Sequence, residues 1–172
     1  MRKSLLGVIV LFIFTMVLAP IPALQTTAGA ETFVNKVPAF TLEVPAWTVS
    51  KSASPKSVLR KAEDMMEITT FDVWVEDLPS DKTYKDLAKD AINYLKSEYT
   101  AKNGDVLYER EIKLADGTPA YELEIRWQHP SVLLYTYEVV VFKDKKIVTV
   151  SVTSGDPIED RLKKIPLSLS FK

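Results

Sequence analysis

Five glutamates, Glu109, Glu111, Glu122, Glu124 and Glu138, are the residues of this chain whose types and spacing could do chemistry. Carboxylates gathered on a sheet can hold a divalent cation through oxygen ligands, or present an acidic surface to a basic partner. Left bare, like charges in direct opposition destabilise the sheet that carries them. The strand "ADGTPAYELEIRWQH" (Ala115 to His129) shows why they gather. Tyr121, Leu123, Ile125 and Trp127 take one parity, and Glu122, Glu124 and Arg126 take the other. That alternation predicts a strand with one face in a core and one in polar surroundings.

A register follows from the turn. Asp116-Gly117 reads as a two-residue hairpin loop, so Ala115 faces Thr118. Ile112 is then expected opposite Tyr121, Tyr108 opposite Ile125, and Val106 opposite Trp127, all on the core face. Arg110 opposite Leu123 is the one misfit. If Trp127 faces Leu133 in the next hairpin, Leu123 meets Tyr137 and Tyr121 meets Val139. On the other face Glu111, Glu122 and Glu138 fall in one row, with Glu109 and Glu124 in the row beside it. This acidic patch is the expected binding feature, and three things could neutralise it. Arg161, Lys163 and Lys164 from a short helix could do so, or Arg126 and Lys113; a divalent cation or a basic partner surface are the others. Calcium takes roughly 6–8 oxygens, and strand carboxylates rarely converge that tightly. Protein cations are therefore the expectation, with no metal and no cofactor.

Other chemistries find little support. His129 is the single histidine, beside Pro130 in a predicted turn, and no "HExxH" or "GxSxG" context occurs. With no cysteine, the chain has no disulfide, thiol nucleophile or thiolate metal site. Beyond residue 30 the glycines are Gly104, Gly117 and Gly155, each at a predicted turn, so none cluster to cradle a phosphate. The chain is expected not to be an enzyme. Setting aside Arg2 and Lys3, 20 basic residues stand against 23 acidic ones, a net charge of −3 that offers nucleic acid nothing. Trp47, Trp74 and Trp127, with Tyr108, Tyr121, Tyr135 and Tyr137, read as packing between sheet and helix, with hydroxyls at the rim. A ligand cavity lined by them is the alternative.

The elements that must position these residues are legible in outline. Ala39 to Trp47 alternates as a strand until Pro45, and Glu67 to Asp77 reads as a longer one with Phe71, Val73 and Val75 aligned. Glu31 to Val37 reads as a short tail and Lys51 to Ser57 as a polar loop. Thr83 to Tyr99 carries Tyr84, Leu87, Ala88, Ala91 and Leu95 at helical spacing, a long amphipathic helix stopped by Asn103-Gly104. Four strands follow at Asp105 to Leu114, Pro119 to Gln128, Val132 to Phe142 and Lys146 to Thr153, expected to pair as antiparallel neighbours. Asp156 to Ile165 reads as a short helix, and "PLSLSFK" as a closing strand with Leu167, Leu169 and Phe171 aligned. The fold class is α+β: an antiparallel sheet packed by one long helix and a shorter C-terminal helix.

This pattern resembles the PsbP-like family of exported proteins. "FTLEVPAW", the long helix after an aromatic-rich strand, "DGTPAYELEIRW" and the final "IPLSLSF" carry the resemblance, which spans nearly all of Val37 to Phe171. It implies an α/β/α sandwich and a non-enzymatic binding or assembly module. PsbP is an extrinsic subunit of photosystem II, but none of these residues carries that role. The alternative is a carrier holding a small apolar ligand between helix and sheet.

The first 30 residues read as an address. Arg2 and Lys3 precede an uncharged apolar run from Leu5 to Ala19, and Ala28-Gly29-Ala30 supplies the small residues that signal peptidase needs. Cleavage after Ala30 leaves residues 31–172 as one domain, periplasmic or secreted. Its expected partner is an envelope or extracellular protein, and its expected contact with the membrane is through the signal segment alone.

Overall fold

A computed structural model describes residues 29–51, 54–78, 93, 97 and 103–172. The strands are β1 (Ala30–Lys36), β2 (Ala39–Pro45), β3 (Thr48–Val49), β4 (Ser57–Ala62), β5 (Thr70–Asp77), β6 (Asp105–Lys113), β7 (Pro119–Gln128), β8 (Leu133–Lys143), β9 (Lys146–Ser154) and β10 (Ser170–Phe171). One helix is described in full, α1 (Asp160–Leu167). Seven strands form one sheet in the order β3-β4-β5-β9-β8-β7-β6, and three form a second in the order β1-β2-β10. Every pairing is antiparallel.

The large sheet is knit by β-branched residues in transverse rows. Val73 pairs with Val150 and Val150 with Val139; Val75 pairs with Val148 and Val148 with Val141. Branched side chains pack well on a pleated surface, and each one fully buried is worth about 1.5–3 kcal/mol. Against this inner face lie Phe40 and Leu42 from β2, Leu162 from α1 and Leu169 beyond it, all buried in one cluster with Phe71 and Tyr137. Lys61 ties the two sheets together. Its buried ammonium donates to the Glu31 carboxylate at 2.8 Å and to the Pro45 carbonyl at 2.9 Å.

Several expectations are corrected. Residues 31–37 are not a tail: β1 pairs along its whole length with β2 through a turn at Val37-Pro38, where Asn35 Nδ2 donates to the Pro38 carbonyl at 2.9 Å. The tail reading fails because the pairing partner comes from the next segment, and the seven residues taken alone carry no clean alternation. Leu167 closes α1 and does not belong to the last strand, which is only Ser170–Phe171. Helix α1 begins at Asp160, after Pro157, and continues through Pro166.

The predicted helix over Thr83 to Tyr99, with its stripe of Leu87, Ala91 and Leu95, lies outside the described residues. Within that stretch Asn93 and Ser97 are described, both helical and exposed. Strand β5 and strand β6 stand four places apart in the sheet. The two strands therefore lie about 19 Å apart at the usual strand spacing.

Candidate functional site

The register decides where the glutamates go, and it differs by one residue from the expected one. The β6–β7 loop has three residues. Gly117 N–H donates to the Leu114 carbonyl at 2.9 Å, and Leu114 N–H donates to the Thr118 carbonyl at 2.9 Å. Gly117 sits at φ +84°, the left-handed position that closes a type I turn with a bulge. Arg110 consequently pairs with Glu122, Glu111 with Tyr121, Ile112 with Ala120 and Tyr108 with Glu124. A bulge at Leu107 then brings Val106 opposite Ile125. The next hairpin is shifted as well: Leu123 pairs with Glu138, Tyr121 with Val140 and Trp127 with Leu134.

Because side chains alternate, a slip of one residue moves each to the other face. Glu111 and Glu122 therefore point to opposite faces, and the single acidic patch of Glu109, Glu111, Glu122, Glu124 and Glu138 does not exist. Glu122 and Glu124 lie on the inner face, with Tyr108, Arg110, Tyr137 and Val139 beside them. Glu109, Glu111 and Glu138 lie on the other face. Among the described residues no three acidic or histidine side chains are grouped to hold a metal ion.

The inner pair is built into a charge-balanced network. Glu122 is 3 % exposed. Its Oε1 accepts from the Tyr137 hydroxyl at 2.9 Å and the Tyr108 hydroxyl at 3.0 Å, and its Oε2 accepts from Arg110 Nε at 2.6 Å. Burial alone would raise this carboxyl, but the hydrogen bonds from Arg110, Tyr137 and Tyr108 outweigh it and hold the group below the ordinary carboxylate range. Glu124, also buried, accepts from Lys163 Nζ of α1 at 2.6 Å. The same ammonium lies 5.2 Å from the Tyr108 ring centre and 5.6 Å from that of Tyr137, within cation–π range.

Burial, followed by the hydrogen bond to the Glu122 carboxylate, pushes both phenols up, so they stay protonated well above neutral pH. Two anions, two cations and two neutral phenols leave this network with ionic partners for both buried carboxylates. Its chemistry is that of a clamp: Lys163 fastens α1 to β7 at the point where the sheet carries its two buried inner-face glutamates.

Of the cations expected to neutralise glutamates, Lys163 does so. Arg161 instead reaches Glu159 at 2.6 Å and Glu63 at 3.5 Å, and Arg126 pairs with Asp105. Arg110 is absent from the expected set, although its expected position opposite Leu123 is the signal. A charge forced onto an apolar row means that the row is misregistered.

A further buried carboxylate, on the other face of the sheet, lies outside the sequence expectations altogether. Asp72 pairs across β5–β9 with Ser151, and Ser151 across β9–β8 with Glu138, making a polar row beneath the other face of the sheet. Asp72 is 4 % exposed. Its Oδ2 accepts from Arg60 Nη1 at 2.5 Å. Burial raises its carboxyl to about 6 despite that arginine. The sequence signal is its place between Phe71 and Val73, on the parity of Trp74. On the same face Glu111 accepts from the Tyr121 hydroxyl at 3.4 Å.

An open groove of about 480 Å³ runs between the end of β2 and α1. Pro45, Trp47 and Ile165 give it apolar walls, while Glu43 and Glu63 face Arg161 and Lys164 along its polar lining. Among the described residues no helix is long and apolar enough to cross a membrane.

No family model and no curated protein matches the sequence. Solved structures do resemble it. PsbP (CyanoP) from Synechocystis sp. PCC 6803 superposes with a TM-score of 0.64 at 19% identity, covering 90% of this chain and 100% of its own. A Bacteroides thetaiotaomicron protein gives 0.56 at 11% identity over 83% of this chain and 48% of its own. The Saccharomyces cerevisiae Ran-binding protein Mog1p gives 0.53 at 9% identity over 84% of this chain and 96% of its own. The chain has a PsbP-like α+β fold.

Proposed function

We propose that the chain is an exported, non-enzymatic binding or assembly module whose partner is another protein. The observation that carries this reading is the groove beside α1, whose apolar walls stand next to charges of both signs. Such a lining suits a polypeptide, which offers apolar side chains and both kinds of charge, better than a nucleic acid or a purely apolar ligand. Mog1p, a Ran-binding protein of similar fold, supports protein recognition as a use of this scaffold. The signal-like first 30 residues support an envelope or extracellular setting.

Affinity purification of the tagged protein from its native envelope, beside a Lys164→Glu variant, tests the reading. Lys164 is exposed on α1, so its substitution leaves the core untouched. The expected result is a protein that co-purifies with the parent chain and is reduced at least tenfold with the variant. Recovery of no protein, or equal recovery with both, overturns the reading.

A further inference from the structure

The only sulfur atoms in residues 31–172 belong to two adjacent methionines, Met65 and Met66. Their placement is unusual, since methionine is ordinarily a filler of irregular core gaps. Here the core is built from valine, leucine, isoleucine and aromatic residues. Met65 is fully exposed and Met66 is 79 % exposed.

The loop that presents them, between β4 and β5, is held without their side chains. The Asp64 carboxylate accepts from Met66 N–H at 2.7 Å and from Thr69 N–H at 3.3 Å. Glu63 N–H donates to the Thr69 carbonyl at 3.0 Å, and Glu67 N–H to the Asp64 carbonyl at 3.3 Å. Ile68 packs towards Gly155, where an added Cβ would come within 2.9 Å of its Cγ2. The Glu67 carboxylate accepts from the Ser50 hydroxyl at 2.6 Å and from Arg60 Nη2 at 3.4 Å, so the groups that shape the loop are its backbone, Asp64, Glu67 and Ile68.

We infer that Met65 and Met66 form an oxidation site, which takes up one oxygen atom per sulfur from a hydroperoxide without loss of the fold. In each step a sulfur lone pair attacks the terminal peroxide oxygen and the O–O bond breaks. The sulfur gives up two electrons to become a sulfoxide. The peroxide is reduced, its hydroxyl proton passing to the departing oxygen, so that hydrogen peroxide leaves as water. A sulfoxide is polar, and in a core it would disrupt packing. At these two positions it enters water instead. The apolar tip becomes a polar one, and a sulfoxide reductase can reverse the change.

The test treats the full 172-residue protein with hydrogen peroxide and reads each methionine by peptide mass mapping, so that Met1 and Met16 are scored separately. N-acetylmethionine amide in the same tube serves as the unprotected standard. The expected result is an addition of about 16 Da at each of Met65 and Met66, at rates within about threefold of the standard. The melting temperature of the doubly oxidised protein is expected to stay within about 2 °C of the untreated one. A Met65→Leu, Met66→Leu variant is expected to lose both additions and keep that melting temperature. Oxidation at either position more than tenfold slower than the standard, or a melting temperature that falls further on oxidation, overturns the inference.

Discussion

Arg110 faces Glu122 directly across the β6–β7 ladder, and its Nε donates to the buried carboxylate at 2.6 Å. The two ends of this pair differ: the arginine side chain is 66 % exposed, whereas the glutamate is hidden beneath it. Glu122 is therefore needed more than Arg110 is. Replacing Glu122 with Leu leaves the buried Tyr137 hydroxyl without its acceptor and is expected to cost about 1–3 kcal/mol. Replacing Arg110 with Leu removes a partner that solvent already screens, leaves both phenol hydrogen bonds to Glu122 in place, and is expected to cost less. Urea denaturation of the two variants checks the order, which the reverse ranking would contradict.

Lys163 and Glu124 are both largely withdrawn from water. Lys163→Met strands a buried carboxylate, and a loss of about 3–5 kcal/mol is expected. Adding Glu124→Gln should restore part of it, giving a coupling of about 0.5–3 kcal/mol in a double-mutant cycle. Additive single effects would mean that the contact does not hold α1 to the sheet.

Asp72 and Glu122 respond to pH with opposite signs. The folded Asp72 carboxyl is raised to about 6 from an ordinary 3.8, so its contribution is fully present below about pH 4 and is lost as the pH rises through 6. Asp72→Asn mimics the protonated form. Relative to the parent chain it is expected to gain up to about 2 kcal/mol between pH 4.5 and pH 8, after allowance for solvent screening. Glu122 is held low in the folded state, so its contribution is present above the ordinary carboxylate range and is lost on acidification below it. Denaturation midpoints of both proteins across this range provide the check, and a difference independent of pH would rule out a raised Asp72.

Tyr108 and Tyr137 should resist alkaline titration. Their folded values are raised, so the stability they contribute persists up to the ordinary phenol range and is lost above it. Ultraviolet titration is expected to show these two phenols ionising only together with unfolding. A Tyr108→Phe, Tyr137→Phe protein should lose that last phase, and retention of the phase would assign it elsewhere.

If cleavage follows Ala30, the first residue of the exported protein is Glu31, whose carboxylate accepts from the buried Lys61 ammonium. N-terminal sequencing of the exported form should begin at Glu31. A sequence beginning at Met1, from a membrane fraction, would contradict the processing.

The residues of the site are legible as types before they are legible as neighbours. Alternation locates β7, β8 and β9 to within a residue or so at each end, because period-two patterning is a local property of one strand. The same patterning cannot place Glu122 relative to Arg110, since pairing depends on the loop between them. Asp116-Gly117 looks like a two-residue turn. Yet a two-residue loop between paired strands occurs at Asp144-Lys145, where both residues have positive φ and neither is glycine. At Asp116 the carboxylate accepts from Thr118 N–H at 2.8 Å and from Phe171 N–H of β10 at 2.5 Å.

By itself, then, the sequence determined the secondary-structure order of most described elements, the PsbP-like α+β class, and the identity of the charged residues on β6, β7 and α1. The tertiary structure alone decided which of those charges meet. The physical reason is that the β6–β7 turn is fastened by a residue 55 positions away in the chain. One residue of slip at that turn, with another at the β7–β8 hairpin, separates a row of repelling glutamates from a buried, balanced clamp.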